Sequence, residues 1–221
     1  MVKVAASTVP AQPLETDRWV KASWDEFIAI ADDPAYEGGR FYFDHGRMRI
    51  EMVPLGSSHS QDDPLVARVI SLFATLKGLR FKEISNGSFR KTGERGCQPD
   101  IAFYIGAEIR FPPRGDTPID LDTIEPPSLV VEIASTTLAD DLGPKRLLYE
   151  RLGVAEYWVV DVNGGSITAF EIADGRSGEV RKSLVLPELP IAVVEEALRR
   201  GQREDDGVVN RWLLDLFAAD V

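Results

Sequence analysis

Glu132 stands inside the apolar run Leu129-Val130-Val131-Glu132-Ile133-Ala134. An ionised carboxylate held out of water there costs several kcal/mol unless something compensates it. A divalent cation does so economically, because hard ions such as Mg2+ take carboxylate and carbonyl oxygens and keep part of their water shell. A buried arginine, or a place at the sheet edge, would serve as well. A second acid has a similar setting. Gln98-Pro99-Asp100 introduces Ile101-Ala-Phe-Tyr-Ile105, so Pro99 opens a strand where its missing N–H does least harm and Asp100 follows at the strand's mouth. A Pro-Asp pair is also an ordinary turn signal. Two acids at the ends of neighbouring strands can share one ion.

Asp141, Lys145 and Tyr149 recur every four residues after the Glu132 strand, which places them on one stripe of a helix. An ammonium near a metal could orient or help deprotonate the attacking water, or stabilise charge building on a phosphate. The same spacing also describes a surface Asp/Lys pair beside a half-buried tyrosine. His59, in Gly56-Ser-Ser-His-Ser60, is one of only two histidines; it suits proton transfer or a hydrogen bond fixing loop to helix. Glu51 could add a carboxylate, although Arg47-Met-Arg-Ile-Glu-Met52 reads equally as a half-exposed strand. His45 reads as a turn residue, and Tyr157 and Trp158 as core aromatics rather than a base-stacking platform.

The elements that must position these groups follow from the pattern. Ser23-Trp24-Asp25-Glu26 is a capping box, so a short helix starts there and ends near Asp33-Pro34. Phe41-Tyr-Phe43 and Met48-Arg-Ile-Glu-Met52 flank Asp44-His45-Gly46 as a hairpin. Leu65, Val66, Val69, Ile70, Phe73 and Leu76 line one face of a helix spanning 59–79. Strands are predicted at 80–84, 88–91 and 100–105, then a polar loop at 106–127 and a strand at 128–134 that is apolar on both faces. A helix over 141–152 closes at Gly153. Asn163-Gly164-Gly165 turns a hairpin between 156–161 and 166–172, and residues 191–200 and 208–217 read as helices. We divide the chain into a tail (1–20), one domain (21–190) and a helical extension (191–221). The order predicts an α/β fold with a mixed central β-sheet flanked by helices.

With 221 residues, 44% of them hydrophobic, the chain can bury one substantial core. Residues 1–18 lack the apolar run of a secretory signal, and no stretch reaches the roughly 18 apolar residues of a membrane span. The single Cys97 excludes an internal disulfide and a Cys-rich zinc site. These features predict a cytoplasmic protein with no membrane partner. A net charge of -11 argues against a broad non-specific nucleic-acid surface, while Arg90, Lys91 and Arg95 form a local basic cluster. Phosphate loops, His-Glu-x-x-His zinc helices and Gly-x-Ser-x-Gly elbows are absent from the sequence.

Pro99-Asp100, Pro127-Ser-Leu-Val-Val-Glu-Ile-Ala-Ser135, Asp141-x-x-x-Lys145-x-x-x-Tyr149 and Gly153-Val-Ala-Glu-Tyr-Trp-Val-Val-Asp161, in that order, resemble the Uma-two family of endonucleases, formerly a domain of unknown function. The hairpin at Gly46 and His59 before a long helix extend the likeness from about Trp24 to Pro190. The resemblance implies a restriction-endonuclease-like fold with a PD-(D/E)xK site. Asp100 is then the first acid and Glu132 the second, both ligands to Mg2+ or Mn2+, with the main-chain carbonyl of Ile133 completing the set. The lysine of the common pattern, two residues after the glutamate, is here Ala134, and Lys145 is the candidate substitute.

The leading expectation is therefore hydrolysis of DNA phosphodiester bonds, by a chain expected to form a homodimer. Its rival is a nuclease fold kept as a regulatory or binding module without turnover, which the acidic charge favours. A metal-free carboxylate pair acting on sugars is a third reading. The nuclease reading sets two conditions and collapses if either fails: the carboxyl groups share one side of the sheet, and neither is buried against an arginine.

Overall fold

The structure, a computed structural model, describes residues 15–52 and 57–219, with the side chains of 57–60 left undescribed. Its strands form two six-stranded sheets rather than the one central sheet expected. The first joins β1 (Val20–Lys21), β2 (Arg40–Asp44), β3 (Arg47–Glu51), β5 (Phe89–Lys91), β6 (Arg95–Cys97) and β8 (Ile119–Asp120), in the order β1-β3-β2-β6-β5-β8. The second runs β12-β11-β10-β9-β7-β4, from β4 (Phe81–Ser85), β7 (Ile101–Ile105), β9 (Leu129–Ala134), β10 (Glu156–Asp161), β11 (Ser166–Ala173) and β12 (Arg176–Val180). Within it only β9 and β10 are parallel. A parallel pair needs a crossover, and the helical segment 138–152 provides it.

The second sheet is covered on both faces, which is why β9 is apolar at every position but Glu132. Ile101, Phe103, Leu129, Val131 and Ile133 pack with α2 (Ser57–Leu76), α5 (Ile191–Gly201) and α6 (Asp206–Ala218) in one core. Residues 191–219, set apart above as an extension, thus contribute Val194, Leu198, Leu213 and Phe217 to the main core. On the opposite face Ala102, Tyr104, Val130 and Ala134 meet Leu148, Tyr149 and Leu152 of α4 (Arg146–Leu152), together with Tyr42 and Phe89 of the first sheet. Phe27, Phe41, Phe43, Met48 and Ile50 form a third cluster behind the hairpin.

Local chemistry sets the boundaries. The Ser23 hydroxyl accepts from the Glu26 amide at 3.2 Å, the Glu26 carboxylate accepts from the Ser23 amide at 2.7 Å, and α1 spans Trp24–Ala31. The β2–β3 turn places His45 and Gly46 at φ of 42° and 83°, the paired left-handed conformation of a tight hairpin. The crossover segment starts as α3 (Leu138–Asp140) and passes through a π turn (Asp141–Lys145) before α4. Pro144 lies in that turn; proline cannot donate to an α-helical ladder, and a widened turn accommodates it.

Four strands escape the sequence reading, among them the two-residue β1 at the boundary of the expected tail. β8 lies within the predicted loop and pairs with β5, while β12 is a polar edge strand. β6 is short and contains Gly96, where a side chain would strike the Phe27 ring. Among the described residues, no helix is long and apolar enough to cross a membrane.

Candidate active site

Asp100 and Glu132 lie at the same level of the second sheet. The β7–β9 ladder pairs Ala102 with Val130 and Ile101 with Val131, so Asp100, one residue before β7, continues the register opposite Glu132. Oδ2 of Asp100 accepts the Ile133 amide at 2.6 Å. Ile133 lies beyond the last paired residue of β7, and its carbonyl leaves the strand on the same edge as its N–H. Both acids are 1% exposed. Arg40 pairs with Asp100 and also feels the Glu132 charge, so both carboxyl groups face the space between the sheets.

The 138–152 segment closes this space. Lys145 Nζ lies 2.9 Å from Asp141, 3.0 Å from Glu51 and 3.9 Å from Glu132. The Tyr149 hydroxyl donates to Glu132 Oε1 at 2.7 Å. Asp141, Lys145 and Tyr149 do occupy one stripe, and the stripe is buried rather than on the surface. The Thr137 hydroxyl holds Asp141 at 2.6 Å, and the Tyr157 hydroxyl donates to the Asp141 carbonyl at 3.0 Å, steadying the π turn from below.

The first sheet supplies residues that the sequence reading did not select. In β2 and β3, Arg40 is registered with Glu51 and Tyr42 with Arg49. Alternation puts these four on the face opposite Phe41, Phe43, Met48 and Ile50. Glu51, Arg49 and Tyr42 are 5%, 6% and 0% exposed, so this face is buried, not half exposed. Arg49 Nε donates to Glu51 at 2.7 Å and lies 3.1 Å from Asp140, which also accepts from the Trp19 indole at 2.8 Å. The Tyr42 hydroxyl donates to the Gln98 carbonyl at 3.0 Å and lies 3.4 Å from Glu132, while its ring underlies Lys145 Nζ at 4.1 Å. Polar residues at every second position were the signal in the sequence, but the same pattern describes a solvated face. His59 falls near the start of α2, and its side chain lies outside the described residues.

Burial pushes the Glu132 carboxyl well above its ordinary range; Lys145 opposes the shift, while Asp100, Asp141 and Glu51 add to it. Burial alone would lower the Lys145 ammonium, but Glu132, Asp141 and Glu51 hold it above its usual value. The direction of that shift favours the charged ammonium over the free amine that a general base would need. The hydroxyls of Tyr42 and Tyr149 are pushed up by burial and then by Glu132, so both keep their protons.

Were all five carboxyl groups of the cluster (Glu51, Asp100, Glu132, Asp140, Asp141) ionised beside its three cations (Arg40, Arg49, Lys145), two negative charges would be left over. Oxygen donors with this excess fit one hard divalent cation in charge and type. No group of three or more His, Cys, Asp or Glu among the described residues forms a ready-made metal cage. The protein's share would thus be two carboxylates and a carbonyl.

Of the two conditions, the shared face is met, whereas Asp100 is committed to an arginine. That arginine is a rim group with 17% of its side chain exposed, and the close contacts of Glu132 are with Lys145 and the hydroxyls of Tyr149 and Tyr42. The basic cluster is neutralised as well: Arg90 pairs with Asp32, Lys91 with Glu94, and Arg95 with Asp44 and Glu94.

A solved structure described as "a putative nuclease belonging to DUF820" from Anabaena variabilis superposes with a TM-score of 0.52 at 17% identity, covering 80% of this chain and 99% of its own. The family model described as "Putative restriction endonuclease" matches residues 24–206, and the chain belongs to that family, Uma-two. No curated protein matches the chain.

Proposed function

We propose that the protein hydrolyses DNA phosphodiester bonds with the help of Mg2+ or Mn2+. The observation that carries this reading is the opposition of Asp100 and Glu132 on one buried face, with Lys145 Nζ 3.9 Å from Glu132, in a chain of an endonuclease family. Asp100, Glu132 and the Ile133 carbonyl would hold the ion, whose chemistry is to activate water near neutral pH and to neutralise phosphate charge. Lys145, kept charged by Asp141 and Glu51, stabilises negative charge growing on the phosphate. Tyr149 fixes the rotamer of Glu132.

Plasmid cleavage by purified protein with Mg2+ or Mn2+ is the test. Cutting that survives both Asp100→Ala and Glu132→Ala belongs to a contaminant and ends the proposal. The near-complete burial of both acids favours a second reading, a nuclease fold retained as a binding module. Stabilisation by Mn2+ that disappears in Glu132→Ala, without cleavage of any nucleic acid, would select it. The homodimer belongs to the proposal too, and light scattering at micromolar concentration decides it.

A further inference from the structure

Arg40 has no part in the reading above, yet it pairs directly with Asp100. Its guanidinium reaches from β2 across to the second sheet, with Nη1 on Asp100 Oδ1 and Nη2 donating to Asn86 Oδ1 at 2.8 Å. Asn86 is itself tied to Asp100, since its amide donates to the Asp100 carbonyl at 2.9 Å. Arg40, Asn86 and Asp100 thus form a closed ring of contacts. Asp100 is 1% exposed, whereas the Arg40 side chain is 17% exposed and stands at the rim. The buried carboxylate has a counter-ion that can leave toward solvent.

We infer that Arg40 is a built-in competitor for the divalent cation, a positioning residue that neutralises Asp100 in the metal-free protein and must be displaced when an ion binds. The inference rests on the metal-dependent reading. A guanidinium and a divalent cation cannot share one carboxylate oxygen without strong repulsion in a poorly solvated site. Removing the guanidinium takes a positive charge away from a buried carboxylate, which favours the folded protein with the ion bound. The Asn86 contact gives the displaced arginine a second anchor, so it stays beside the site as a cation available to a phosphate.

The test is calorimetric titration of Mn2+ into nucleic-acid-free protein, comparing wild type with Arg40→Gln and Arg40→Lys. Arg40→Gln should bind Mn2+ about tenfold more tightly, a usual size for competition between two sites. Arg40→Lys should fall between the two, because the shorter ammonium cannot reach both Asp100 and Asn86. It serves as the deciding variant if Arg40→Gln fails to fold. Unchanged or weaker binding in the folded variant, while wild type binds Mn2+ and Glu132→Gln does not, overturns the role of Arg40 and leaves the metal site standing. If none of the chains binds Mn2+, the metal reading falls and the inference with it.

Discussion

The Tyr149 hydroxyl donates to Oε1 of Glu132 at 2.7 Å, joining α4 to the centre of the second sheet through the acid that the sequence singles out first. Tyr149→Phe removes that bond together with the hydroxyl's contact to the Cys97 thiol. It should cost about 1–3 kcal/mol in urea denaturation, the penalty for leaving a buried acceptor short of a donor. Mn2+ affinity should fall about 10–100-fold, as for other groups that orient a metal ligand. A variant with unaltered affinity would show that Tyr149 only packs.

Glu132→Gln keeps the shape of the side chain and removes its charge. In chelator the variant should melt higher than wild type, because a buried charge without full compensation opposes folding. Mn2+ should raise the melting temperature of wild type and leave the variant unmoved. A variant that melts lower in chelator would mean that ionised Glu132 is well satisfied by its neighbours.

The pH dependence of that difference has a definite sign. The folded-state pKa of Glu132 lies above its ordinary value of 4.5. Its contribution to stability is therefore fully present below the unfolded-state value and is lost as pH rises through the folded-state value. In chelator, wild type and Glu132→Gln should have similar melting temperatures near pH 4, with wild type falling progressively behind toward pH 8. A gap that narrows as pH rises contradicts the assignment.

Lys145→Met should be severe. Asp141, Glu51 and Glu132 would lose the ammonium they share, and breaking a buried pair on one side typically costs roughly 3–5 kcal/mol. Chemical denaturation measures this directly. A loss below about 1 kcal/mol, the scale of an exposed pair, would place the lysine in solvent.

Cys97 is buried, and burial pushes its thiol upward, so little thiolate forms at neutral pH. An aromatic disulfide reagent should leave the native protein unmodified and titrate the one thiol after addition of guanidinium. Rapid labelling of the native state would indicate that the sheets open locally.

Much of this architecture was legible because its elements carry strong local signals. The capping box at Ser23, the hairpin at His45-Gly46 and the left-handed Gly153 are fixed by neighbouring residues, and they stand where the pattern puts them. Glu132 was legible because a charge in an apolar strand demands an explanation. Arg40, Tyr42 and Arg49 were not, since a buried polar face and a wet one have the same period of two. Which of the two it is depends on a second sheet that no local pattern announces. The commitment of Asp100 to Arg40 was hidden for the same reason, as the partners stand sixty positions apart in the chain and meet only after the layers dock.

The cluster draws on the β2–β3 hairpin, on the mouths of β7 and β9, and on a helix made later than all of them. A chain still being synthesised can hold the hairpin and both acids and yet lack the lysine and tyrosine that finish the pocket. The buried cluster is therefore complete only once the 138–152 segment has been made.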